Sequence, residues 1–419
     1  MTPVIRGRAI DAGRPLDADN QDVASLLTAE APGISKPGAT RLRRLGHIDG
    51  LRALAALGVL ICHAFWYSDL GRYGSSTPLG RFLMMGAHGV DLFFVVSGFC
   101  LAYPYLTRVR AGSPYAFDLV PYMARRLVRI LPPYYAAIVV LAVTFTLLHL
   151  HSAGLTALAL VQQVLFLDRD QSYLTSPFWT LSIEFRWYVA FPLLLALFVR
   201  LPRVFALLGA GAYVLFYTTR LDAVDVGTLP AFMLGIWAAD LEITRSPLRR
   251  YAPAVFIPCA VAAFAMMSGQ QYFAVQPVGV VASFALVVAA GWMPWLRRAL
   301  SAPPLVGLGI ASYSIYLFHE PVIAYCEGLH HAPLWLGASA ALALSLVFFL
   351  LGERPFLSGP LRDRLIGWLE RGLSAGLGFL IPAPYVRARA DRDAQVAPSA
   401  TSESAPPRPL LGAATPASP

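Results

Sequence analysis

Lysine is nearly missing from this chain: Lys36 is the only one in 419 residues, so the basic charge rests on arginine. Charge of either sign is scarce, 14% of residues against 57% hydrophobic. A soluble fold cannot bury that much apolar surface, which excludes an ordinary water-soluble enzyme and leaves a polytopic membrane protein. Cysteine is sparse too. Cys62, Cys100, Cys259 and Cys326 each fall inside an apolar segment with no C-x-x-C spacing, which argues against a disulfide framework and a metal site and reads as four small buried hydrophobes. Residues 1–46 lack the apolar run of a signal peptide, so the first spanning helix is expected to act as an uncleaved insertion signal. The formal net charge of +9 invites a nucleic-acid reading, but the arginines cluster between apolar segments, as in cytoplasmic loops, and no nucleic-acid partner is expected.

What is present is apolar sequence in runs. About ten segments stand out: 50–67, 87–106, 128–149, 183–199, 203–219, 228–241, 251–268, 274–293, 306–327 and 333–352. The expected fold class is all-α, a polytopic membrane protein of about ten transmembrane helices. Segment 228–241 is short for a span. Arg41, Arg43 and Arg44 precede the first segment, and Arg108, Arg110, Arg125, Arg126 and Arg129 mark the connection from the second to the third. Further clusters at 200–203, 245–250, 297–298 and 354–364 keep the same alternation, while the opposite connections carry only Arg72, Arg81, Arg169 and Arg220. Both termini are therefore expected in the cytoplasm. The domain organisation expected is a disordered tail over 1–46, a membrane domain over 47–356, an amphipathic interfacial helix over 357–381 and a disordered tail over 382–419. The first partner expected is the lipid bilayer.

Two ionisable residues inside the first segment carry the chemistry. Arg52 and His63 in LRALAALGVLICHAFWY are eleven residues apart, about three helical turns plus 20°, so they share one helix face about 16 Å apart. Ionisable groups inside a bilayer are costly and mark pathways or reaction sites. With the first span running outward, Arg52 lies near the cytoplasmic surface and His63 toward the outer end. His88 and Asp91 in HGVDLFFVVSGF, Ser182, Glu184 and Arg186 in the fourth segment, and His319 in SYSIYLFHEP are expected at a depth similar to that of His63. Tyr313, Tyr316 and His319 recur at i, i+3, i+6 and share a face. A neutral imidazole beside a carboxylate is what a general base needs, so His63 paired with Asp91 or Glu184 is the expected catalytic set. Glu184 could instead pair with Arg186. On the cytoplasmic side, Arg125, Arg126 and Arg129 in ARRLVRILPPYY suit forked hydrogen bonds to phosphate, with Pro132 and Pro133 opening backbone groups or bending the helix.

These pieces together resemble the membrane-bound acyltransferase-three family, which includes bacterial O-acetylases of lipopolysaccharide and exopolysaccharide. The matching elements are Arg52-x10-His63 in DGLRALAALGVLICHAF, then GVDLFFVVSGF, RRLVRILPPYY, FWTLSIEFRWYVAFPLLL, LGIASYSIYLFHEPV and GERPF, in family order over roughly 47–356. The resemblance implies transfer of an acyl group, usually acetyl, from cytoplasmic acyl-CoA to a carbohydrate hydroxyl of a glycan or glycolipid at the outer face of a bacterial inner membrane. It implies an essential role for His63 with Arg52 as its partner, an Arg-x-x-Arg element in Arg126 and Arg129, acyl-CoA as a co-substrate and no tightly bound cofactor. Arg125, Ser97, Tyr313, Tyr316 and His319 join the expected substrate or acyl-CoA contacts. The family's fourth-span motif often reads S-x-E-E-x-F-Y, whereas Ser182 and Glu184 are followed here by Phe185, Arg186, Trp187 and Tyr188, which removes a second acidic position. The hydrolase-like domain that some members carry after the membrane part is not found, so a stand-alone transferase is expected. Direct attack by the acceptor hydroxyl, deprotonated by His63, is expected ahead of an acyl-histidine relay. The rival reading is a proton-coupled secondary transporter, against which stands the want of repeated halves or matched Gly/Pro-interrupted spans.

Overall fold

A computed structural model describes residues 45–113, 117–149, 157–167, 175–219, 224–267 and 272–380. The two tails expected to be disordered lie outside these residues, apart from Leu45 and Gly46. Among the described residues there is no strand. The long helices are α1 Gly46–Tyr67, α2 Gly89–Arg110, α3 Leu119–Leu147, α4 Phe178–Arg200, α5 Pro202–Thr219, α6 Val224–Ile243, α7 Ala252–Met266 and α8 Tyr272–Trp292. A broken pair, α9 Pro303–Ile310 and α10 Ser312–Ile323, precedes α11 Leu334–Phe348 and α12 Pro360–Leu380.

Each of the ten apolar segments falls on a helix, and eight stretches are long and apolar enough to cross a membrane. The short segment 228–241 is lengthened at both ends into α6. The segment 203–219 is a helix of lesser length, and 306–327 is interrupted at Ala311, where α9 ends and α10 begins. Pro132 and Pro133 do not end α3, which runs through them to Leu147; they remove the amide donors that would have met the carbonyls of Val128 and Arg129.

Helices in hydrocarbon gain nothing from the hydrophobic effect by associating, so close backbone approach and polar contacts hold them together. The α2–α6 contact is one of close backbone approach. A Cβ on Gly98 would lie 2.0 Å from the Phe232 carbonyl oxygen, and one on Gly235 would lie 2.0 Å from that of Val95. Only glycine at both places lets the two backbones meet. Helix α1 packs against α2, α8, α9 and α10 and so sits centrally, whereas the apolar faces of α7 and α11 remain largely uncovered, as suits lipid. Residues up to Gly367 form one compact unit, and Trp368, within α12, begins a second.

Candidate active site

Helix α1 is unbroken from Gly46 to Tyr67, so Arg52 and His63 are carried on one rigid rod. His63 lines a cavity of about 130 Å³ walled by Val59, Cys62, Val90, Trp179, Tyr272 and Tyr316, among others. Arg52 lines a smaller cavity of about 40 Å³ with Thr180, Glu184, Ser312, Tyr313 and Tyr316. Val90 and Tyr316 are walls of both cavities. The hydroxyls of Tyr316 and Thr180 share a 2.7 Å hydrogen bond at that partition.

The hydrogen-bond partner of His63 is not a carboxylate. Its Nδ1 lies 2.9 Å from Nε2 of His319, with ring centroids 4.9 Å apart. His319 is fully buried on α10, and its own Nδ1 faces the carbonyl oxygens of Ile315 at 3.1 Å and Tyr316 at 3.0 Å. The expected face of α10 is thus real, but its residues diverge in use: the Tyr313 hydroxyl donates to the Ile130 carbonyl at 3.2 Å and ties α10 to α3.

Asp91 and Glu184, expected beside His63, are engaged elsewhere. Asp91 is fully buried; its Oδ2 lies 2.7 Å from Nδ1 of His88, and its Oδ1 accepts from the Tyr272 hydroxyl at 2.7 Å and from Gln276 at 3.4 Å. Tyr272, one of its donors, forms part of the cavity wall. Glu184 accepts hydrogen bonds from the hydroxyls of Ser97 and Tyr188, and lines the Arg52 cavity. Arg186 pairs with Asp225 rather than Glu184, at 2.8 and 3.1 Å, and donates to the Phe166 carbonyl. The geometric reason is separation between helices: α2 brings Asp91 against α8, and α4 turns Glu184 toward α2.

The arginine cluster is assembled from α1 and α3. Arg126 lies 5.9 Å from the Tyr122 ring centroid and 5.8 Å from that of Tyr188. Arg129 bears electrostatically on Arg52, Arg126 and Glu353. Nε of Arg52 and Nε of Arg126 are buried without a hydrogen-bond partner among the described residues. Arg125 does not join them; it is exposed on another face of α3. Glu353 brings the counter-charge: one carboxylate oxygen accepts from the Ser314 amide at 3.1 Å and its hydroxyl at 2.5 Å, and the other has no partner among the described residues.

Sequence reasoning did not place Glu353 beside the arginines, although an acid at the end of an apolar run, inside GERPF, was the available signal. It also missed Trp179, Thr180 and Tyr272, which look like ordinary aromatic and polar residues at span ends.

Comparison with known proteins gives this arrangement its context. The acyltransferase-three model, described as an acyltransferase domain, matches residues 45–354. The chain is 25% identical over 332 residues to O-acetyltransferase OatA of Staphylococcus aureus (strain NCTC 8325 / PS 47), covering 69% of this chain and 52% of that protein. It is 26% identical over 319 residues to peptidoglycan O-acetyltransferase OatA of Listeria monocytogenes, covering 66% and 49%. The chain spans about half the length of these curated relatives. No solved structure matches it significantly. With the domain match running from the start of α1 to the carboxylate-bearing end of the last apolar span, the chain belongs to the acyltransferase-three family of membrane proteins.

Proposed function

We propose that this protein moves an acyl group, acetyl in the first instance, from cytoplasmic acyl-CoA to a hydroxyl of a cell-envelope glycan across the bacterial inner membrane. The observation that supports the reading best is that Arg52 and His63 line two cavities sharing the walls Val90 and Tyr316. With both termini taken as cytoplasmic from the arginine distribution, the arginine cluster faces the compartment where acyl-CoA is made. Arg52, Arg126 and Arg129 supply cations for the donor's phosphates, and its flexible arm reaches along α1 toward His63.

In this reading the acceptor hydroxyl enters the His63 cavity and gives its proton to the imidazole as its oxygen attacks the thioester carbonyl. The tetrahedral intermediate collapses with cleavage of the carbon–sulfur bond, and the imidazolium returns the proton to the departing thiolate. The products are an ester and free CoA, with no net proton released. Trp179 and Tyr272 offer aromatic surface of the kind sugar rings pack against. The name of the Listeria relative puts peptidoglycan first among glycan acceptors, ahead of lipopolysaccharide and exopolysaccharide.

The test needs no prior choice of acceptor. Alkali-labile acetate is measured on the cell envelope of a strain deleted for this protein and complemented with the wild type or with His63→Ala. The expected result is loss on deletion, return with the wild type and no return with His63→Ala. Full return with a folded His63→Ala protein would overturn the assignment of the base.

A further inference from the structure

We infer that His319 is the positioning residue of this site: its backbone-anchored imidazole selects the tautomer of His63 and leaves Nε2 of His63 as the basic atom. The inference rests on the reading of His63 as the proton acceptor.

The argument is one of hydrogen-bond parity. Carbonyl oxygens only accept, and Nδ1 of His319 faces two of them, Ile315 at 3.1 Å and Tyr316 at 3.0 Å. That nitrogen therefore carries the ring's hydrogen. His319 is fully buried and no carboxylate is hydrogen-bonded to it among the described residues, so the ring is the neutral imidazole with one N–H. Its Nε2 is then a bare lone pair. This lone pair lies 2.9 Å from Nδ1 of His63, so Nδ1 of His63 must be the donor. A neutral His63 with its hydrogen on Nδ1 has its lone pair on Nε2. An accepting carbonyl, that of Val59 one turn back on α1, also bonds the His63 ring, and the ring lines the 130 Å³ cavity.

A triad carboxylate does the same task by charge; here helix geometry does it. The acceptor for His63 is held by carbonyls of its own helix, one turn back, and cannot swing without breaking both contacts. When His63 takes a proton, His319 offers the resulting imidazolium a lone pair rather than a counter-charge. The neighbouring carboxylate, Glu320, is held by the hydroxyls of Tyr67 and Thr175 and supports the cation only through space.

Two substitutions separate positioning from packing. In His319→Gln the side-chain amide oxygen can stand where Nε2 stood and keep the acceptor. In His319→Asn the shorter amide can still donate to the helix carbonyls but cannot reach His63. Both bury one amide, so a general folding cost is common to them. Purified full-length protein is treated with diethyl pyrocarbonate, which acylates unprotonated imidazole nitrogen, and the His63 peptide is followed by mass spectrometry. We expect His319→Asn to slow labelling of His63 about tenfold or more and His319→Gln to stay within about threefold of wild type. Equal labelling of the two variants, or wild-type labelling of His319→Asn, would sink the inference. A measurement on the wild type guards against variants that fail to fold: nitrogen-15 NMR of histidine-labelled protein, with the His63 signals assigned by their loss in His63→Ala. It should show a protonated Nδ1 and a bare Nε2; the opposite tautomer overturns the inference. Envelope acetate that survives His63→Ala would instead remove the base reading while leaving the tautomer result standing.

Discussion

The two ends of the Arg52–His63 stripe are built on opposite principles. At the His63 end, the two rings and the backbone around them leave His319 with both nitrogens engaged and the geometry locked. At the Arg52 end, Arg52 and Arg129 lie near the carboxylates of Glu184 and Glu353, and the buried Nε atoms of Arg52 and Arg126 lack partners among the described residues. Buried polar groups ordinarily find partners, and the exceptions cluster where function needs them. A satisfied end suits a reacting group that must not move. An under-satisfied cationic end suits a site that completes its hydrogen bonds on an anionic ligand.

That contrast can be broken in graded ways. The largest effect is expected from His63→Ala, with transfer falling about 10³-fold; the initial rate of acetyl transfer in membranes checks it. Next comes Glu353→Ala, which strands the Ser314 amide and leaves the arginines with less counter-charge. A destabilisation of about 1–3 kcal/mol is expected, read by thermal denaturation in detergent. If the cluster receives an anion, acyl-CoA should raise the midpoint of the wild type and of this variant by mass action, and an unresponsive midpoint in both would argue against that use.

Asp91→Asn sharpens the comparison at the other end. Were Asp91 the carboxylate that orients His63, the loss would approach about 10⁴-fold, as in a serine-protease triad. Acting through Tyr272, it is expected to lower transfer about tenfold or less. The smallest effect belongs to Arg125→Ala: an exposed side chain outside the cluster should change stability by no more than about 0.5 kcal/mol and leave the acyl-CoA KM alone. Arg126→Ala, by contrast, should raise that KM. Equal behaviour of the two variants would erase the distinction drawn between the two faces of α3.

Much of the fold was legible because hydrocarbon is an unforgiving solvent. Apolar runs of span length, and arginine and histidine where they are costly, stand out without any structure. The break at Ala311 was not legible, since Gly307, Gly309 and Ala311 are ordinary in a spanning helix. Nor was the close approach that Gly309 permits toward the Asp49 carbonyl. On the arginine side, spacing placed Arg126 and Arg129 on one face, but Arg125 was grouped with them because adjacency in sequence hides the 100° between neighbours on a helix. Asp91 and Glu184 were assigned by depth alone, and depth says nothing of which face of which helix meets which neighbour.

The amino-acid sequence by itself determined that this is a multi-pass helical membrane protein, that Arg52 and His63 ride on one helix at a set separation, and that the family pattern runs in order along the membrane domain. Hydropathy and helical periodicity are local properties, so local sequence carries them. Only the tertiary structure decided that the imidazole at position 63 leans on another imidazole 256 residues later, with Asp91 turned to Tyr272 and Glu184 to Ser97. Such choices depend on which helices lie side by side, and that is settled by glycine-to-backbone packing and hydrogen-bond satisfaction across the whole bundle.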